Sequence, residues 1–406
     1  MVDLRIRRTE GIRAAAWRQK GVRSPSKVNP VRLLLVCGIL TFCLLLSVLF
    51  LAKVEEPSTP TPAVSNEQRL RKATKTNFLD FLVELARLPT PDLRRRLYDE
   101  DIFQLAELEG SCQFSSPPLW LPPTPPKHNS TGLVWYEHVS KAGGTSFCKL
   151  AQANMRKQEV PAFYCMPRDG NKKDGRVGRW SNEKLLKYRT ENAPIRIVSN
   201  EWQPFPPERR DLKHLLFFVT TLRDPLDRLL SAYHFWGILH DKGKVKPSLA
   251  EWIERKRKRS NTKSPQDLGI AIHIGRYNFI AWKFSNGTMP QSQLTIVDGE
   301  MPLGVAKEEE DLWRKPFVMA AETLANFDLV LILELMSSHS SQMLTRTLGW
   351  THLEKNHVVP SGKVENNHAA AALSKDIYDS LWEGNRFDMI LYQWMKAVHL
   401  ARSQCP

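Results

Sequence analysis

The chain has 406 residues, 42% of them hydrophobic, which allows one large domain or two ordinary ones with a substantial buried core. Its formal charge of +15 points to an anionic partner without choosing among nucleic acid, a membrane surface and an acidic polysaccharide. Six cysteines include no Cys-x-x-Cys pair, so nothing in their spacing suggests a zinc site.

Residues 1–32 carry nine Lys or Arg against Asp3 and Glu10, close to half of the net charge. Leu33 to Ala52 follow as twenty residues without a charge, enough for a helix to cross a hydrocarbon core. A transmembrane signal anchor is expected here rather than a cleaved signal peptide. The preceding tail is long, the apolar run exceeds a usual h-region, and Phe50 is too bulky for a good cleavage site. Basic residues ahead of the span put the N-terminus in the cytosol and the rest in the lumen, a single-pass type II topology. Cys112, Cys148, Cys165 and Cys405 then lie in an oxidising compartment, where they permit two disulfides in three pairings. Glycosylation sequons at Asn129 and Asn286 suit the same compartment.

Lys53 to Ser65 is Pro/Ser/Thr-rich and reads as an extended tether. Between Asn66 and Gly110, Phe78, Phe81, Leu82 and Leu85 recur at helical spacing, and Pro89 and Pro91 divide two amphipathic helices. These are either a stem that spaces or oligomerises the protein, or helices packed on the domain that follows. Three Pro-Pro pairs between Ser115 and Lys127 mark a boundary. The expected organisation is a basic tail over 1–32, an anchor over 33–52, a stem over 53–131 and a lumenal domain over 132–406.

In that domain the apolar run Leu133 to Tyr136 predicts a buried strand, followed by a turn and a helix over Phe147 to Met155. Arg168 to Arg179 reads as a charged surface loop. Ile195 to Ser199 predicts a short strand that cannot extend past Pro204, and Leu215 to Leu222 a longer one ending in Arg223-Asp224-Pro225. A helix over Leu226 to Trp236 follows, with Pro225 suited to its first turn. The basic run Glu254 to Arg259 fits a polyanion grip, a solvated loop or a processing site equally. Helices are expected over Asp267 to Phe284 and from the acidic patch Lys307 to Asp311 onward. Phe327 to Glu334 predicts another buried strand, leading to a helix that closes at Leu348-Gly349-Trp350. Ser374 to Ala401 reads as one or two amphipathic helices. Alternating strands and helices imply an α/β fold, a P-loop-like parallel sheet flanked by helices, with ligands at the carboxyl ends of the strands.

The turn Lys141-Ala-Gly-Gly-Thr-Ser146 aims backbone N–H groups and a helix N-terminus outward, and Gly143 and Gly144 let an anion approach the backbone. Its lysine precedes the glycines, unlike the nucleotide P-loop Gly-x-x-x-x-Gly-Lys-Ser/Thr, so it is either a different phosphate loop or a plain glycine turn. A nucleotide kinase is disfavoured for that reason and for want of an evident magnesium-binding arrangement. Arg223 occupies the equivalent position after a second strand and offers a fixed donor fork, with the Ser231 hydroxyl two helical turns on. Two such loops suit a ligand with two separated phosphates.

Lys141-Ala-Gly-Gly-Thr-Ser146 and Arg223-Asp-Pro-Leu-Asp-Arg-Leu-Leu-Ser231 together resemble the two phosphosulfate signatures of Golgi carbohydrate sulfotransferases, nearest the heparan sulfate 2-O/6-O group. Phe327-Asp328 leading to Glu334, Leu348-Gly349-Trp350 and Asn385-x-x-Asp388-x-x-Leu391-Tyr392 are similar to that family's downstream pattern, so the resemblance spans roughly Gly132 to Arg402. It implies 3′-phosphoadenosine 5′-phosphosulfate as sulfuryl donor, with Gly143, Gly144, Thr145 and Ser146 on the 5′-phosphosulfate and Arg223 and Ser231 on the 3′-phosphate. It makes Lys141 the electrophilic catalyst and requires no metal. The acceptor is then a glycan hydroxyl, on an anionic polysaccharide in the Golgi lumen. Its proton needs a base, for which Glu201 is the candidate and His138 the rival. The sequence Ser-Asn-Glu-Trp departs here from the His-Gly-His type of the nearest relatives. Trp202, Arg209 and Arg210 either line the acceptor groove or belong to a Pro-rich surface loop. A catalytically silent lumenal polyanion-binding protein on the same fold is the alternative; nucleic acid is disfavoured as a partner by the topology.

Overall fold

Runs of consecutive apolar residues, rather than alternating ones, suit strands covered on both faces, and the sheet is built from them. In the computed structural model, β1 (Leu133–Glu137), β2 (Ile197–Asn200), β3 (Leu216–Leu222) and β4 (Leu329–Ile332) form one parallel sheet in the order β2-β1-β3-β4. Every residue of the four strands is buried. Leu133, Trp135, Val198, Phe218 and Leu222 enter the larger core on one face, while Val134, Tyr136, Ile197, Phe217 and Val219 enter the smaller core on the other. That split follows the two-residue period of side chains along a strand. The register aligns Glu137 with both Asn200 and Thr220, so β1 and β2 end level, while β3 runs two residues further and ends level with β4 at Leu222 and Ile332.

The structure describes residues 78–99, 102–103, 132–172, 175–240, 245–261, 273–290, 310–353 and 373–404, all within one unit, Leu70–Pro406. The expected anchor over 33–52, the tail, the tether, the Pro-rich boundary, Asn129, Cys112 and Cys405 lie outside the described residues. Among the described residues no helix is long and apolar enough to cross a membrane.

The first two helices, α1 (Phe78–Arg87) and α2 (Thr90–Tyr98), take the packed alternative rather than that of a free stem. Phe81, Leu82 and Leu85 are in the larger core, and the Phe78 ring lies 5.2 Å from that of Trp394. Buried Arg386 donates to the carbonyls of Ala86 (2.9 Å) and Leu88 (2.8 Å), closing the helix end that Pro89 leaves open. Part of 53–131 is therefore integral to the domain.

The strands alternate with α3 (Gly144–Asn154), α4 (Asn182–Glu191), α5 (Pro225–Ala232) and α6 (Leu249–Asn261), then α7 (Phe279–Phe284) and α8 (Glu310–Ala325). After β4 come α9 (Ser341–Leu348), α10 (Lys375–Gly384) and α11 (Arg386–Gln404). Several expectations are corrected. The helix after Arg223 changes to π geometry over Tyr233–Leu239. The basic run Glu254 to Arg259 is helical, as part of α6. The described part of 267–284 is not one continuous helix: it is helical at His273 and again in α7, with Asn278 in the left-handed conformation (φ 51°) immediately before α7. Gly349 closes α9 at φ 67°, as expected for a glycine cap. The C-terminal segment is two helices meeting at Asn385, and α11 is buried around most of its circumference rather than amphipathic. A disulfide joins Cys148 on α3 to Cys165.

Candidate active site

The strand order puts the loops after β2, β1 and β3 side by side at the carboxyl edge, with the β1 loop in the middle. Beyond Glu137, Lys141 sits at φ 68° and Gly143 at φ 85°, and α3 begins at Gly144 without any side chain capping it. Each glycine has its own reason. A Cβ on Gly143 would lie 2.7 Å from Leu333 Cδ1 in an already left-handed backbone, and one on Gly144 would overlap the His138 ring. The uncapped N-terminus leaves amide donors for an anion.

Lys141 and Arg223 converge. The Arg223 guanidinium donates to the Lys141 carbonyl at 3.4 Å, and the Lys141 ammonium lies 3.9 Å from the centroid of the Phe235 ring on the π segment. Burial lowers the Lys141 pKa from its ordinary value; Glu201 opposes the shift and Arg223 adds to it. Asp224 caps α5, accepting from Leu226 N (2.9 Å) and Asp227 N (3.2 Å), and burial raises its pKa to about 6. Its own N–H donates to Glu334 Oε1 at 2.9 Å, and Glu334 Oε2 accepts from the Tyr392 hydroxyl at 2.9 Å. The turn after β4 therefore touches both loops, Leu333 at Gly143 and Glu334 at Asp224.

Glu201 and His138 also meet, with Glu201 Oε2 3.6 Å from His138 Nδ1. Their accessibilities differ. The His138 side chain is 5% exposed and packs beneath Gly144, whereas Glu201 retains 18%. Burial lowers the His138 pKa, against the opposing effect of Glu201, so the imidazole is neutral. A base has to touch the hydroxyl it deprotonates, and of the two Glu201 presents the larger exposed surface.

Beneath Glu201 is a group that the sequence reading passed over. Lys283 on α7 is fully buried and pairs at 2.6 Å with fully buried Glu137. The same ammonium donates to the carbonyls of Asn200 (3.1 Å), Glu201 (3.3 Å) and Gln203 (2.7 Å), and the Lys283 carbonyl accepts from Phe205 N (2.7 Å). Glu137 also accepts from Trp135 Nε1 (2.8 Å) and Asn200 Nδ2 (2.9 Å), while burial raises its pKa. Removing one member of such a pair strands the other, at a cost of roughly 3–5 kcal/mol. A charged residue inside the otherwise apolar Phe279–Phe284 was the available signal.

The remaining candidates are distributed differently. Thr145 is exposed and Ser146 half-buried at the start of α3; Ser231 is half-buried at the end of α5. Arg209 is corrected: it is fully buried, donates to the carbonyls of Val177 and Trp180 and to Asn182 Oδ1, and lies over the Trp135 ring. A guanidinium consumed inward cannot line an acceptor groove. Arg210 is half-buried and donates to Pro207 O at 3.4 Å. Trp202, next to Glu201, donates to Met166 Sδ at 3.2 Å and keeps part of its ring exposed. The Asn286 sequon is exposed in a left-handed turn.

No family model matches the chain, and no curated protein matches it significantly.

Proposed function

We propose that the chain is a sulfotransferase that moves a sulfuryl group from 3′-phosphoadenosine 5′-phosphosulfate to a hydroxyl of a glycan, an anionic polysaccharide in the Golgi lumen. The observation that carries this reading is the convergence of Lys141, Arg223 and Glu201 on one sheet edge around the glycine cradle. That arrangement fits the donor: an uncapped helix N-terminus and two cations face the same edge, and the glycine positions are closed to any side chain. The resemblance of Lys141–Ser146 and Arg223–Ser231 to phosphosulfate-binding loops supports the same assignment, as do the type II topology expected of the N-terminal segment and the exposed Asn286 sequon.

When bound, the donor supplies an activated sulfuryl group whose leaving oxygen belongs to the 5′-phosphate. Gly143, Gly144, Thr145 and Ser146 would hold that phosphosulfate, and Arg223 with Ser231 the 3′-phosphate. Glu201 takes the proton of the acceptor hydroxyl as its oxygen bonds to sulfur, and Lys141 stabilises the negative charge that collects on the leaving oxygen as the S–O bond breaks. His138 keeps Gly144 and Glu201 apart and in place.

The test is transfer of labelled sulfate from donor to a panel of anionic polysaccharides by the full-length chain, with thermal shift in 3′-phosphoadenosine 5′-phosphate. Transfer that Lys141→Ala lowers about a hundredfold or more and Glu201→Gln reduces, with donor binding retained in Glu201→Gln, is the expected result. No transfer to any acceptor, together with no shift, would sink the reading.

A further inference from the structure

Asn385-x-x-Asp388-x-x-Leu391-Tyr392 lies at the start of α11, away from every loop that touches substrate in the mechanism above, yet its polar groups are aimed at both halves of the site. Asp388 is fully buried, and its two carboxylate oxygens accept from Ile280 N and Ala281 N, both at 2.8 Å. It thereby caps α7, the helix that carries Lys283. Asn385 and Asn278 fix the junction reciprocally: Asn278 N donates to Asn385 Oδ1 (3.2 Å), and Phe387 N donates to Asn278 Oδ1 (3.1 Å). Through Lys283 the cap reaches the carbonyls of Asn200, Glu201 and Gln203. One turn later and on the same face, Tyr392 donates to Glu334, which holds Asp224 N and with it the start of α5.

We infer that the single turn of α11 from Asp388 to Tyr392 positions both halves of the site. Its Asp388 arm sets the Glu201 loop through α7 and Lys283, and its Tyr392 arm sets the Arg223 loop through Glu334. The functional consequence rests on the sulfotransferase reading; the mechanical one does not. The two arms leave one rigid helix a turn apart. Asp388 also interacts electrostatically with buried Arg228 on α5, so Lys283→Gln is the cut of its arm that spares α5 and Tyr392→Phe the cut of the other. The Asp388 arm ends on the base, and the Tyr392 arm on the cation assigned to the 3′-phosphate. They are positioning residues with separable effects: one bears on turnover, the other on donor affinity.

The experiment compares the full-length wild type with Tyr392→Phe and Asp388→Asn by amide hydrogen exchange, by titration with 3′-phosphoadenosine 5′-phosphate, and by transfer kinetics. Tyr392→Phe is expected to speed exchange in residues 223–228, raise the dissociation constant and donor KM about tenfold, the order of one hydrogen bond to a charged group, and leave kcat at saturating donor within twofold. Asp388→Asn is expected to speed exchange over residues 200–205, lower kcat about tenfold or more, and leave the dissociation constant unchanged. If Asp388→Asn does not fold, Lys283→Gln cuts the same arm one step later. Equal effects of both variants on both segments, or none on either, would overturn the inference. Absence of binding and transfer in the wild type would overturn the sulfotransferase reading while the exchange patterns still decide the two-arm arrangement.

Discussion

The ammonium of Lys141 rests 3.9 Å from the ring centroid of Phe235, although one residue lies in the loop after β1 and the other in the helical segment after β3. The contact exists because Tyr233–Leu239 is a π segment continuing α5, and π turns inserted in helices are frequent at functional sites. It holds the ammonium beside the glycine cradle by a cation–π attraction of about 0.5–1 kcal/mol. Phe235→Leu is therefore expected to lower kcat about two- to fivefold with little change in donor affinity, whereas Lys141→Ala should cost about a hundredfold or more. Steady-state kinetics with varied donor separates the two.

Burial lowers the Lys141 pKa, and in the proposed transfer the ammonium is the form that stabilises the leaving oxygen. Activity is thus present at low pH with respect to this group and lost as pH rises through the depressed value. The basic limb of the kcat profile should fall at a pH below the ordinary lysine value of about 10.4 and should vanish from the residual activity of Lys141→Ala. A limb unmoved in that variant would assign it to another group.

Gly144→Ala forces a Cβ into the His138 ring and should destabilise the protein by about 1–3 kcal/mol, the usual cost of overpacking. His138→Ala in the same chain should recover most of that loss, since it removes the ring the new methyl meets. His138→Ala alone should keep transfer within a few fold if Glu201 is the base. A loss as deep as that of Glu201→Gln would transfer the role to His138. Urea melts and transfer assays on the four chains of this cycle supply both readings.

His399 is buried, its Nδ1–H donating to Val330 O at 2.9 Å and its Nε2 lying 3.1 Å from the Ser340 hydroxyl. Burial lowers its pKa to about 4, below the unfolded value near 6.5. Its contribution is fully present above pH 6.5 and lost as pH falls towards 4, at most about 3 kcal/mol. His273, also at about 4, acts in the same direction, while Asp224, Asp328 and Asp388, raised to about 6, act in the opposite one. The difference between wild type and His399→Gln isolates the one group: it should shrink steadily between pH 6.5 and 4 in thermal melts.

The Cys148–Cys165 bridge ties the helix behind the glycine loop to the segment whose Cys165 carbonyl accepts from Ser199 N (2.8 Å). It closes a separation of 17 residues, for which loop-closure entropy is worth about 3 kcal/mol. Cys165→Ser should lower stability by about that amount in denaturant melts and weaken donor binding less than Lys141→Ala weakens transfer.

The sequence alone determined the sheet strands and the two loops that carry Lys141 and Arg223. Leu133–Tyr136, Leu215–Val219 and Leu329–Leu333 are short continuous apolar runs, which suit a strand buried on both faces, and Pro225 and Gly349 act through their own backbone geometry wherever the chain goes. The meeting of Lys141 with Arg223 was legible too, because both follow strands of one parallel sheet. Tertiary structure decided the rest. Arg209 looked like a groove cation, but the carbonyls of Val177 and Trp180 draw it inward. Phe78 to Tyr98 looked equally like a stem, and Arg386, Trp394 and Glu383, which accepts from the Thr90 hydroxyl, bind it to the domain. Lys283 drew no reading from the sequence, because Glu137, its buried partner, is far away along the chain. Local periodicity reports which face of an element is apolar. It does not report which distant polar group will meet a buried charge, and that meeting positions Glu201.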